Sequence, residues 1–189
     1  MLFRSVSQSR YVGYIWIAVY ILAVMFANYT ATWFIPLPVF GLLSVGTVIF
    51  GITFTARDFV HRMGRKYVYG MIAAAAVLTT IMAIATDTPY RIVIASFVTI
   101  LIAETADTEV YQRFIHRPWL MRVAASNAVS IPLDSIIFSV LAFVGTMPLI
   151  DVAAIIFADI AWKWVSGFAF AMLRYVIPDY SLHGDLASE

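Results

Sequence analysis

Apolar residues run in six long windows along the chain, at about 11–28, 39–56, 67–86, 90–113, 119–145 and 150–174, and polar residues collect between them. A helix needs about 20 mostly apolar residues to cross a hydrocarbon core about 30 Å thick. Each window therefore predicts one transmembrane helix, and the pattern predicts an all-α membrane protein with six transmembrane helices in one bundle. The first window follows the basic stretch MLFRSVSQSR, is longer than the apolar part of a secretory signal peptide and precedes no A-x-A site. It is expected to be a retained span.

The basic residues test this layout independently, because Lys and Arg gather on the cytoplasmic side of a membrane and played no part in choosing the windows. Arg4 and Arg10 precede the first span, Arg57, Arg62, Arg65 and Lys66 join the second to the third, Arg113, Arg117 and Arg122 join the fourth to the fifth, and Arg174 follows the sixth. All of these fall on one side; of the 12 Lys and Arg residues only Arg91 and Lys163 do not. The reading is a multi-pass protein of the cell inner membrane with both termini cytoplasmic.

Composition narrows the function. Of 189 residues 62% are hydrophobic and 12% charged, against about a quarter charged in soluble domains. Six crossings use about 120 residues, so a single transport-type domain over 1–189 is expected, with no room for an ATPase or nucleic-acid module. Cysteine is absent, which excludes disulfides and thiol chemistry. The outer segment Trp33-Phe-Ile-Pro36-Leu-Pro38 is apolar and is expected to lie against the bilayer. Gly41, Ser44, Gly46, Thr47 and Gly51 read as small residues for close helix packing. The sequon at Asn28-Tyr29-Thr30 lies too near the membrane to be read as a glycosylation site.

The informative residues are polar groups inside the spans, since a charge at mid-membrane costs about 2.5–3.5 kcal/mol on the insertion scale and usually marks a pathway. In the sixth span Asp159 and Lys163 stand one helical turn apart and can pair, with Trp162 and Trp164 beside them. In the fifth, Asn127, Ser130 and Asp134 form one polar stripe next to Pro132, which removes a backbone donor. In the fourth, Glu104, Asp107 and Tyr111 share a face. Glu104 lies about 13–14 Å of helix from the inner end, and Glu109 and Gln112 read as a solvated helix end. Asp58 and Arg62 of the inner loop are candidates for a gate against the acids of the fourth span. Asn28, with Thr30 and Thr32, ends the first span where a ligand entering from outside would meet it.

This inventory of carboxylates, one ammonium, an amide, hydroxyls and aromatic rings is too polar for a lipid carrier. It holds no phosphate-binding or metal-binding motif, and His61, His116 and His183 all fall in expected cytoplasmic segments, so no cofactor, no metal and no enzyme activity is expected. A planar heterocycle suits it, because carboxylates and amides bind a polar ring edge while an aromatic covers the face. No nucleic acid is expected as a partner; a homodimer is compatible with the reading.

The same residues resemble the queuosine precursor transporter family, also called the putative vitamin uptake transporter (VUT) family. Asp58 and Arg62 in ARDFVHRMGRK resemble its charged inner loop, Asp107 in ETADTEVYQRF its acidic end of the fourth span, Asp134 in SNAVSIPLDSIIF its fifth-span Asp, and Asp159 and Lys163 in ADIAWKW its D-x-x-x-K. The resemblance implies six helices and uptake of 7-deazaguanines such as preQ0, preQ1 or queuine by alternating access. Glu104, at the head of the fourth-span segment, matches no acid of the family motif, and an extra acid suits a cationic aminomethyl base such as preQ1 better than a neutral nitrile. Two other functions fit the residues: a substrate-binding subunit of an energy-coupling vitamin transporter, and a membrane scaffold in which the buried charges serve packing.

Overall fold

Within a bilayer a backbone finds no water to bond, so apolar windows of this length satisfy their own polar groups as helices. A computed structural model describes residues 2–37 and 41–176. In chain order these form α1 (Leu2–Tyr29), β1 (Phe34–Leu37), β2 (Gly41–Ser44), α2 (Val45–Val48), α3 (Phe50–His61), α4 (Arg65–Ala85), α5 (Tyr90–Arg113), α6 (Trp119–Phe143) and α7 (Leu149–Val176). Five of the expected spans thus appear as single long helices. Pro132 sits inside α6, which runs through it. Pro38, Val39 and His183 lie outside the described residues.

The second expected span departs from a single helix, and the fold is not purely α. Residues 41–44 pair antiparallel with 34–37, in the register Phe34↔Ser44, Ile35↔Leu43, Pro36↔Leu42 and Leu37↔Gly41. Within the segment read as lying against the bilayer, Phe34–Leu37 forms a strand. Pro36 resists helix, and Gly41 holds a φ of +79° that side-chain-bearing residues rarely adopt. After the hairpin the helix breaks again at Ile49, whose φ of −87° and ψ of −1° lie in the bridge region. It then continues as α3 to His61, a full turn past its expected end. The charged stretch read as a loop thus begins on a helix, and Arg57 and Asp58 are 2% and 5% exposed. Only Arg62, Met63 and Gly64 separate α3 from α4, and Gly64 makes the turn at a φ of +112°.

Two apolar clusters flank the middle of the molecule. In one, Tyr20 and Val24 of α1, Ala56 and Val60 of α3, Ile100 of α5 and the buried face of α4 pack together. That face repeats at helical spacing through Val68, Met71, Ile72, Ala75, Ala76 and Ala83. In the other, Ile92 and Ala95 of α5 meet Ala142 and Phe143 of α6 and Val152 and Ile155 of α7, under Phe34 and Leu42 of the hairpin. Outward-facing Leu22, Val77, Ile84, Ile94, Ile136, Phe157 and Val165 are exposed, as lipid-facing residues are. Three helical stretches among the described residues are long and apolar enough to cross a membrane: Tyr11–Tyr29, Arg65–Ala85 and Trp119–Phe143. Helix α5 carries Arg91, Glu104, Asp107 and Glu109, the charges that make it a site candidate.

Where α1 meets α2 the backbones nearly touch. A Cβ added at Gly46 would meet the carbonyl oxygen of Ala27, and would stand 3.0 Å from its carbonyl carbon and 3.1 Å from its Cα. Backbone cannot yield as a flexible side chain does, so Gly46→Val is expected to cost about 1–3 kcal/mol. Gly70→Ala, whose Cβ meets nothing within 4 Å, is the control. Thermal unfolding of the purified protein checks this, and equal midpoints for the two variants would show that the close approach is not needed.

Candidate functional site

Between the two clusters lies a cavity of about 690 Å³, counted with the solvent space at its mouth. Tyr20, Val24, Ala27, Asn28 and Ala31 of α1 form one wall. The hairpin and broken helix add Ser44, Gly46, Thr47 and Thr53, and α5 adds Ser96, Thr99, Ile100 and Glu104. Asp134, Phe138 and Phe143 of α6 and Ile155, Asp159 and Lys163 of α7 complete it. The non-helical backbone of the hairpin and the break at Ile49 thus sit beside a polar cavity, where membrane proteins tolerate them. A smaller space of about 200 Å³ shares Glu104, Asp134 and Lys163 with the first and reaches Phe54, Arg57, Ala103, Ser130 and Ile131.

The charges form two triads, each a single cation between two carboxylates. In the first, Lys163 Nζ donates to Asp134 Oδ2 at 2.5 Å and to Ser135 Oγ at 3.1 Å, and stands 3.6 Å from Asp159 Oδ2. Thr47 Oγ1 donates to Asp159 Oδ1 at 2.5 Å. In the second, Arg57 places Nη1 3.0 Å from Glu104 Oε2 and Nη2 2.9 Å from Asp107 Oδ1. Nη2 also donates to Asn127 Oδ1 at 3.2 Å, and Ser130 Oγ donates to Asp107 Oδ1 at 2.9 Å. Arg57 lies over the Phe54 ring, 5.2 Å from its centroid. A bidentate guanidinium suits a buried carboxylate pair better than an ammonium does, because its planar fork satisfies two acceptors at once. With every acid ionised each triad carries one net negative charge.

Accessibility separates the four acids. The Asp134 and Glu104 side chains are 19% and 12% exposed, toward the cavity, while Asp159 is 6% exposed and Asp107 fully enclosed. The hydroxyls of Ser96 and Thr99, one turn apart on α5 and 4% and 2% exposed, line the cavity without a hydrogen-bond partner.

The residues singled out in the sequence therefore divide. Glu104, Asp134, Asp159, Lys163 and Asn28 line the cavity, although the Asn28 amide donates to Val24 O of its own helix at 2.9 Å. Ser130 borders the smaller space. Asp107 and Asn127 do not line the main cavity; they hold Arg57 behind its wall. Trp162 lines neither space, and its indole N–H is buried without a partner. Between the charged stretch and the fourth-span acids, Arg57 contacts both Glu104 and Asp107. Arg62 lies over the Phe59 ring at 5.1 Å. Glu109, read as a solvated helix end, accepts from Arg65 and from the Tyr69 hydroxyl. Sequence reasoning missed Arg57, counted only as a topology charge, and Thr47, taken as a packing residue. It also missed Tyr20, Ser96 and Thr99, for a polar residue of a common type carries no signal until its neighbours are known.

The chain is thus a helical protein with long apolar helices and a charge-lined interior cavity. The chain belongs to the putative vitamin uptake transporter family, whose sequence model matches residues 44–177. The match begins at Ser44, the last residue of β2, and covers both triads. The chain matches no curated protein and no solved structure.

Proposed function

We propose that this chain carries a planar heterocyclic base of the 7-deazaguanine class, preQ0, preQ1 or queuine, inward across the cell inner membrane by alternating access. In this reading the hairpin, α2 and α3 together serve as the second of six crossings, both termini are cytoplasmic, and residues 1–189 act as one transport domain. The supporting observation is the wall where open carboxylates stand beside rings. Asp134, with Asp159 behind it, accepts from the amino and ring N–H edge, Ser96, Thr99 and Asn28 complete the polar contacts, and Phe138, Phe143 and Tyr20 cover the faces. Lys163 offsets the charge of Asp159 and Asp134 when the cavity is empty.

The test is a ligand screen on the purified protein, reading thermal midpoint with preQ0, preQ1, queuine, guanine and biotin-type vitamins. A ligand at a hundred times its Kd stabilises the folded state by about 2.7 kcal/mol. A rise with deazaguanines that is absent with the vitamins is the expected result. A response only to unrelated vitamins would replace the substrate class, and uptake that requires an added ATPase would replace the secondary mechanism.

A further inference from the structure

The Arg57 triad has a second neighbour on the side away from the cavity. His61, the last residue of α3, is 5% exposed, and neither ring nitrogen has a hydrogen-bond partner. Its ring stacks on Tyr111 of α5, centroids 4.0 Å apart. His61 Nε2 stands 3.9 Å from Asp107 Oδ2, an oxygen that is itself buried and unpartnered. Asp107 thus has one oxygen committed to Arg57 and Ser130 and the other aimed at an imidazole about 1 Å beyond hydrogen-bond reach. One turn back on α5, Glu104 takes the other guanidinium nitrogen and opens to the cavity. From cavity to helix end the order is Glu104, Asp107, His61, then the Arg62–Gly64 turn.

We propose that transport is coupled to a proton, which crosses between the cavity and the Arg62–Gly64 end over Glu104, Asp107 and His61. This rests on the transport reading above. Two carboxylates that share one guanidinium in a water-poor interior are one positive charge short, and a proton on either of them supplies it. Arg57 cannot donate, since it stays charged, but it holds both acids and lets the neutral one alternate. The proton leaves Asp107 for His61 Nε2, water admitted at the Arg62–Gly64 end takes the Nδ1–H proton, and a ring flip returns the neutral imidazole to its starting tautomer with Nε2 free toward Asp107. At 3.9 Å this last step is broken, which keeps protons from leaking when no base is carried. The groups around the imidazole are Arg57 and Asp58 on α3, Arg62 of the turn that follows it, Asp107 and Tyr111 on α5, and Arg122 of α6, whose guanidinium lies over Tyr111 at 5.3 Å. Among them Asp107 is the acceptor that His61 faces at close range.

The experiment reconstitutes the full chain in liposomes with radiolabelled preQ0 and preQ1, membrane potential clamped at zero. With one proton carried per molecule, an inside-alkaline gradient of one pH unit is expected to concentrate the base about tenfold, tenfold per unit following from the proton ratio itself, and a pH dye should report proton entry with it. In His61→Gln, and in His61→Asn as a second variant, gradient-driven accumulation and the dye signal should vanish. Exchange of internal for external labelled base, which needs no net proton movement, should persist within about twofold. Exchange in the wild type with no accumulation on the gradient would overturn the proton path and leave the transport reading standing. The same holds if both His61 variants accumulate base as the wild type does. Absence of both exchange and accumulation would remove the transport reading and the proton path together.

Discussion

Arg57→Leu is expected to lower the stability of the purified protein by about 3–5 kcal/mol, the cost of taking one partner from a buried ion pair. The guanidinium is 2% exposed and stands between Glu104 and Asp107 at 3.0 and 2.9 Å. Leucine fills part of the space but leaves two acids facing each other in a low dielectric, with Asn127 losing its donor as well. The cost comes from the abandoned charges, so neutralising them should recover it: Arg57→Leu combined with Glu104→Gln and Asp107→Asn is expected to regain most of the lost stability. Arg57→Lys should fall between, since one ammonium cannot reproduce the two-pronged contact. Thermal unfolding of the four proteins in one detergent checks the series. A wild-type midpoint for Arg57→Leu would show that the acids are neutral or hydrated without it, and a triple variant no better than the single one would show that the arginine acts through packing.

Much of this arrangement was legible because the membrane sorts residues harshly. Only an apolar window of about 20 residues spans it, so α1, α4, α5, α6 and α7 could be placed from hydropathy. Glu104, Asp134, Asp159 and Lys163 stood out as exceptions within it. The second crossing was harder. Gly41-Leu-Leu-Ser44 is equally apolar as strand or helix, and its pairing with Phe34–Leu37 is a contact between segments that a window average does not see. Arg57 was hidden for the same reason. With the helix ending near residue 56 it reads as one more positive charge at the inner surface, whereas one further turn of α3 buries it against α5. Within-helix spacing also misled in one respect: Asp159 and Lys163 share a face of α7, but the closer carboxylate belongs to Asp134 on α6. The acids were visible in the sequence, and their division into two triads required the packing of α3, α5, α6 and α7.

Lys163→Met is expected to reduce uptake of the base at least 100-fold, about 2.7 kcal/mol at tenfold per 1.36 kcal/mol. Methionine replaces the length of the side chain but not its charge, and leaves Asp134 and Asp159 with no cation. The two acids are then left side by side without a counter-charge, and the polar edge of the base loses the ion-paired wall it is proposed to meet. Adding Asp159→Asn removes the excess charge and is expected to restore thermal stability toward wild type without restoring uptake, because Asp134 still lacks the ammonium it pairs with. The two single acid variants should differ as their exposure does. Asp134→Asn, open to the cavity, is expected to weaken base binding, while Asp159→Asn, enclosed and held by Thr47, is expected to cost mainly stability. Parallel measurement of uptake and thermal midpoint separates these effects. Full uptake by Lys163→Met would move the binding role away from this triad and onto Glu104 and the α5 hydroxyls, the remaining polar groups of the cavity wall.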